Sequence, residues 1–229
     1  MRPVFVYPSG NFNGRYSPID MIVLHYTGMK TGQEALDRLC NPAAAVSAHY
    51  LIFENGDIYN LVDEDFRAWH SGISSWRGIP DVNSRSIGIE VVNPGHEFGY
   101  VPFTDEQIDS VIDLCRDIMT RRNIAPQNVL GHSDVAPARK SDPGELFPWK
   151  RLAENRIGLW TEAFAVPRQP VGKILAEIGY DTTDELAALT AFQRHFYPEA
   201  LLDKAEKTIE RLAAVSSLYE QKEPVNDSL

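Results

Sequence analysis

With 229 residues, 43% of them hydrophobic and 24% charged, the chain has the make-up of an ordinary globular protein, which excludes fibrous and disordered classes. Its 22 basic and 32 acidic residues leave a net charge of −10, a field that repels nucleic-acid phosphates and anionic lipid head groups and so excludes polyanion binding. No apolar run reaches the ~18 residues of a membrane span and Met1-Arg2-Pro3 opens without the apolar stretch of a secretory signal, so the expected compartment is the cytosol.

Met21 to Leu24 is a short apolar run ending at His25 and predicts a strand. Ile52-Phe53, then Asn55-Gly56, then Ile58-Tyr59-Asn60-Leu61 predicts a hairpin with a two-residue turn. From Ser86 to Val92, Ile87, Ile89 and Val91 fall on one face and Gly88, Glu90 and Val92 on the other. Both sides read as mostly buried, which predicts a central strand carrying one carboxylate. Thr104-x-x-Gln107 is a capping box ahead of Ile108, Val111, Ile112, Cys115, Ile118 and Met119 at helical spacing. Asn128-Val129-Leu130 supplies the next strand. Strands interleaved with helices predict an α/β fold, a central mixed β-sheet flanked by helices. Two cysteines, Cys40 and Cys115, lack the spacing of zinc or redox sites and are expected to be reduced packing residues.

Ala165 to Pro170 carries two prolines and sets a boundary between a larger domain over 1–165 and a second, small all-α C-terminal domain over 171–229. There Thr182-x-x-Glu185 predicts a cap, followed by a stripe of Leu186, Leu189, Phe192 and Phe196. Leu202 to Leu218 reads as another amphipathic helix and Glu220 to Leu229 as a frayed end.

Three candidate metal ligands stand beside structural breaks: His25 at a strand end, His132 after Val129-Leu130-Gly131, and Asp142 before Pro143-Gly144. Two imidazoles and one carboxylate suit Zn²⁺ in a catalytic site, since they leave a fourth position for water. Their wide separation forms no local signature, and residue types alone favour plain surface or structural histidines. Glu90, on a buried strand, needs either a salt bridge or a neighbouring metal-activated water to offset its charge. Rival chemistries fit less well. Gly131-His132-Ser133-Asp134-Val135 lacks the last glycine of a serine-hydrolase elbow, Cys115 lies on the apolar stripe of a helix, and a carboxylate-pair glycosidase leaves the His, His, Asp set unexplained.

Five segments carry a family resemblance: Leu24-His25-Tyr26-Thr27, Ser47-Ala48-His49-Tyr50, Trp69-His70-Ser71-Gly72, Ile87-Gly88-Ile89-Glu90, and the fourteen residues from Gly131 to Gly144. In this order they resemble the zinc N-acetylmuramoyl-L-alanine amidases of the type-2 amidase family, which also includes phage lysozyme-type amidases and peptidoglycan recognition proteins. The resemblance implies a Zn²⁺ held by His25, His132 and Asp142, with Glu90 as general base and Lys140 meeting the charge that develops on the carbonyl oxygen. It implies positions near the substrate groove for Tyr26, His49, Trp69 and His70, where they contact glycan or peptide or orient the ligands. A hydrogen-bonded core histidine is the other reading of His49, and Trp69 and Trp76 either stack on a sugar or roof the core. His96 and His195 match no motif.

Ile178-Gly179-Tyr180 and the run Thr190 to Phe196 resemble the small helical peptidoglycan-binding modules attached to such amidases. Their segment between Tyr180 and Ala191 is shorter than in those modules, and a helical appendix packed on the first domain is the other reading. The implied reaction is hydrolysis of the amide joining N-acetylmuramic acid, in its ordinary or 1,6-anhydro form, to L-alanine, in wall recycling or turnover. Peptidoglycan fragments are then the partners, with no nucleic acid and no membrane insertion. A cytosolic enzyme would take imported muropeptides, and one in the periplasm or cell envelope would trim the wall. A non-catalytic muropeptide receptor and a helical adaptor with a vestigial enzyme fold are the rival readings.

Overall fold

Runs that are apolar on both faces form the middle of a six-stranded sheet in the computed structural model, which describes residues 3–201 and 207–220. The strands are β1 (Val4–Val6), β2 (Met21–Tyr26), β3 (Tyr50–Ile52), β4 (Ile58–Asn60), β5 (Ser86–Val91) and β6 (Val129–Gly131). Their order is β1-β4-β3-β5-β2-β6. β3 and β4 are antiparallel and every other neighbouring pair is parallel, so the sheet is mixed, as the interleaved pattern predicts. β5, with its lone carboxylate, lies between β3 and β2.

Helix α1 (Gly32–Cys40) follows β2, and α2 (Asp105–Arg122) follows β5. The predicted box closes α2: the Thr104 hydroxyl accepts from the Gln107 amide at 3.1 Å, and the Gln107 side chain accepts from the Thr104 amide at 3.0 Å. Ile108, Val111, Ile112, Cys115 and Ile118 then pack on Ile22, Leu24, Ile87, Ile89 and Val91. Both cysteines are free thiols, and burial pushes Cys115 up to about 12.

Helices α4 (Val171–Ile178), α5 (Glu185–Phe196) and α6 (Thr208–Glu220) cover the opposite face of the sheet. Ile174, Leu175, Ile178, Phe192, Phe196, Leu212 and Val215 form one continuous apolar cluster with Met21, Val23, Leu130, Val135 and Trp76. Between the two parts stands a short helix, α3 (His132–Val135), directly after β6. Among the described residues no helix is long and apolar enough to cross a membrane.

Local structure departs from the sequence expectations in three places. The hairpin loop has three residues, because Phe53 still donates to the Asp57 carbonyl at 2.9 Å and Gly56 takes a left-handed φ of 81° before the return strand. Asp184, not Thr182, caps α5 by accepting from the Ala187 amide at 3.0 Å, since the helix starts only at Glu185 and Thr182 belongs to the preceding turn, where Asp181 accepts from the Thr183 amide. The buried stripe of α5 therefore runs through Ala188, Ala191, Phe192, His195 and Phe196, and leaves Leu186 75% exposed. Of the predicted Leu202–Leu218 helix, Thr208 onward is present and 202–206 lie outside the described residues. So does the tail beyond Glu220.

Candidate active site

Register brings the chemistry together. β2 and β5 pair His25 with Glu90, β2 and β6 pair Leu24 with Gly131, and His132 follows as the first residue of α3. Three adjacent parallel strands thus deliver their side chains at their carboxyl ends, where open α/β sheets hold ligands. The 136–142 loop returns Asp142 to the same point, held by the Ser133 amide donating to the Asp142 carbonyl at 2.8 Å. Gly131 has to be glycine because a Cβ there would stand 2.8 Å from the Pro143 ring.

His25 Nδ1, His132 Nδ1 and Asp142 Oδ2 form a buried triangle with sides of 2.9, 3.0 and 3.0 Å. Their other contacts fix the protons. His132 Nε2 faces the Ser71 carbonyl at 3.0 Å, an acceptor only, so Nε2 bears the hydrogen and Nδ1 turns a lone pair inward. Ser86 donates its hydroxyl to the Val82 carbonyl at 2.6 Å and therefore accepts from His70 Nε2 at 3.2 Å. His70 Nδ1 is then an acceptor and receives His25 Nε2–H at 3.0 Å, which leaves His25 Nδ1 bare as well.

Electrostatics agrees with this assignment. Burial, followed by the neighbouring His132, pushes His25 down to about 4 and keeps it neutral near pH 7. Three acceptors with no proton among them repel at 3 Å unless a cation joins them. Neutral imidazoles and an ionised carboxylate are the states in which these groups bind a metal.

The other sequence candidates divide by position. Tyr26, Trp69, His70, Glu90 and Lys140 line one cleft of about 790 Å³ together with His132 and Asp142. His49 does not line it. It is fully buried, with Nδ1 accepting from the Gly88 amide at 2.9 Å and Nε2 facing the Phe66 carbonyl and Arg15, and burial followed by the Arg15 charge pushes it down to about 3. His70 has a double position, at the cleft floor and against His25. The absent side chain of Gly88 makes room for it, since a Cβ there would fall 2.4 Å from the imidazole. Trp76 lies in the apolar cluster shared with the C-terminal helices, whereas Trp69 stays at the cleft with its Nε1 on Asn13 at 2.9 Å.

Glu90 carries the other anomaly. Its Oε2 is buried without a hydrogen-bond partner among the described residues, and burial, then the Asp142 charge, raises its pKa well above the usual carboxylate range against the pull of Lys140. An orphaned acceptor beside three convergent lone pairs is the environment of a proton acceptor for a bound water. His96 sits at the rim, with Nδ1 on the Tyr26 hydroxyl at 2.9 Å and Nε2 on Glu145 at 3.1 Å. No local pattern around it marks that role.

A family model described as N-acetylmuramoyl-L-alanine amidase matches residues 15–145, more than half of the chain. The N-acetylmuramoyl-L-alanine amidase AmiD of Escherichia coli (strain K12) is 37% identical, over 86% of this chain and 82% of that one. The 1,6-anhydro-N-acetylmuramyl-L-alanine amidase AmpD of Haemophilus influenzae is 35% identical, over 64% of this chain and 89% of that one. Among solved structures, the E. coli AmiD complex with anhydro-N-acetylmuramic acid-L-Ala-D-γ-Glu-L-Lys gives a TM-score of 0.74 at 34% identity, over 91% of this chain and 92% of that one. AmpDh3 of Pseudomonas aeruginosa gives 0.77 at 33% identity, over 94% and 96%. Matched over most of its sheet and at every element that builds the triangle, the chain belongs to the N-acetylmuramoyl-L-alanine amidase family.

Proposed function

We propose that the chain hydrolyses the amide between 1,6-anhydro-N-acetylmuramic acid and L-alanine in muropeptides, with Zn²⁺ held by His25, His132 and Asp142. The observation that carries this reading is the meeting of three bare donor atoms at the cleft that His132 and Asp142 line with Glu90, whose unpartnered oxygen belongs to the strand partner of His25. The substrate class is supported by the relatives, whose solved complexes hold anhydro-N-acetylmuramic acid-L-Ala-D-γ-Glu-L-Lys and anhydromuramic pentapeptide.

When bound, zinc supplies Lewis acidity, polarising the amide carbonyl and bringing the pKa of a water toward about 7. Glu90, with its raised pKa, takes the proton of the attacking water and delivers it to the departing amine of L-alanine. Lys140 lines the same cleft and presents an ammonium to the negative charge that develops on the carbonyl oxygen. Through its Nδ1, His70 keeps the His25 ring turned so that its bare nitrogen faces the site.

The test incubates the purified chain with anhydro- and reducing-end muramyl peptides, with and without chelator, and follows released peptide by mass spectrometry. Chelator-sensitive release of a peptide beginning with L-alanine, faster from the anhydro sugar, is the expected result. Tight binding with zinc present and no release would replace the hydrolase by a receptor.

A further inference from the structure

Asp134, the second residue after His132, is fully buried and takes no part in the cleft or in the reaction above. A carboxylate in that setting is costly unless its oxygens are met by donors. Three donors meet it. The Gly131 amide and His195 Nδ1 both reach Oδ2 at 2.7 Å, and the Tyr180 hydroxyl reaches Oδ1 at 2.7 Å.

Their origins give the cluster its meaning. The Gly131 amide belongs to the residue that leads into His132, so Asp134 fixes the backbone from which that imidazole projects. Tyr180 and His195 come from the C-terminal helices, Tyr180 just past the end of α4 and His195 from the last turn of α5. Neither side chain is free to swing. The His195 ring is stacked 3.8 Å from Trp149 and 3.8 Å from Phe196, and Tyr180 stands edge-on to Trp76 at 5.2 Å. Apolar contact alone would seat these helices on the sheet. Placing two immobilised donors on one buried carboxylate beside a metal-site residue gives them a second task.

We propose that Tyr180 and His195 are positioning residues for His132: acting through Asp134, they set the Gly131–His132 backbone and so make the C-terminal helices part of the metal-site scaffold. This rests on the zinc reading of the triangle. The ring of His132 is then anchored twice, by the Ser71 carbonyl at Nε2 and by Asp134 through the main chain.

The test uses the full chain and three variants, Tyr180→Phe, His195→Leu and His195→Asn. It measures the zinc dissociation constant by competition with a chromogenic chelator, the melting of the metal-free protein, and kcat and KM on a muramyl peptide. Tyr180→Phe and His195→Leu should each weaken zinc binding about ten-fold and lower kcat with KM little changed, as loss of outer-shell support does at metal sites. His195→Asn, whose amide can still donate to Asp134, should restore most of both. If metal-free melting falls while zinc affinity and kcat stay at parent values in every variant, the cluster is a clamp between helices and sheet, and the proposal fails. Should His195→Leu not fold, Tyr180→Phe, which removes one hydroxyl, decides alone. A parent chain that binds no zinc overturns the zinc reading and this one together, whereas a zinc-binding parent with indistinguishable variants overturns this one only.

Discussion

The two faces of strands β2 and β5 are made from alternate residues of the same few positions, yet they do different work. One face carries Ile22, Leu24, Ile87, Ile89 and Val91 and is apolar from end to end under α2. The other begins with Met21 and Val23 against the C-terminal helices and ends with His25 and Glu90, polar groups whose every neighbour matters. A parallel sheet buried on both sides permits this because successive side chains alternate between faces, so a strand can anchor in a core on one side and present a site at its carboxyl end on the other. The apolar face should tolerate exchange at a cost in stability alone. The polar face should lose function while keeping its fold.

Glu90→Gln gives the widest contrast: kcat should fall by about 10²–10⁴-fold, the range of a general base, with zinc content and melting temperature kept. Steady-state kinetics beside metal analysis checks it, and a variant that loses its zinc would move Glu90 into the metal's own coordination. On the opposite face, Ile89→Ala should cost about 2–5 kcal/mol in denaturant titration and leave kcat per folded molecule unchanged. Gly88→Ala sharpens the comparison, since the added Cβ would stand 2.4 Å from His70. It should destabilise by about 1–3 kcal/mol and also weaken zinc binding by displacing the support of His25, two effects that a melt and a metal titration separate.

The smallest effect concerns charge at the border of the apolar face. Burial disfavours the Glu64 carboxylate, but bonds from Arg121, Arg122 and Tyr50 outweigh it and hold Glu64 down to about 2. A depressed folded pKa contributes stability that is present above the ordinary Glu value and lost as pH falls through about 2. Melting temperature should therefore drop between roughly pH 4.5 and 2, and Glu64→Gln should remove part of that slope. An unchanged slope would show that these arginines are screened by water.

Much of this contrast is legible in the sequence. The alternation from Ile87 to Val91 marks a strand buried on both sides, Thr104 and Gln107 announce α2, and the run from Gly131 to Gly144 carries His132 and Asp142 in their family setting. What was not legible depends on partners distant in the chain. Periodicity shows that α5 and α6 have apolar faces, but not that Met21, Val23 and Leu130 receive them. Nothing near Gly88 announces that its missing side chain makes room for His70, and nothing in the run Thr190 to Phe196 marks His195 as the residue whose nitrogen ends on Asp134. The cap of α5 differs from the Thr182-x-x-Glu185 reading for a local reason: the helix starts at Glu185, so the cap position falls on Asp184, whose carboxylate accepts from the Ala187 amide.

The continuous apolar cluster beneath α4, α5 and α6 also bears on how such enzymes can be recombined. A chimera that exchanges 171–220 for a foreign helical module inherits a face made of Met21, Val23 and Leu130 on the sheet and Val135 on α3, shaped for Ile174, Leu175, Phe192 and Val215. Unless the graft brings side chains of matching volume, that face meets water and becomes a surface for aggregation. The helical part of this chain is thus inherited with its sheet, and the unit that can be moved between proteins is the pair.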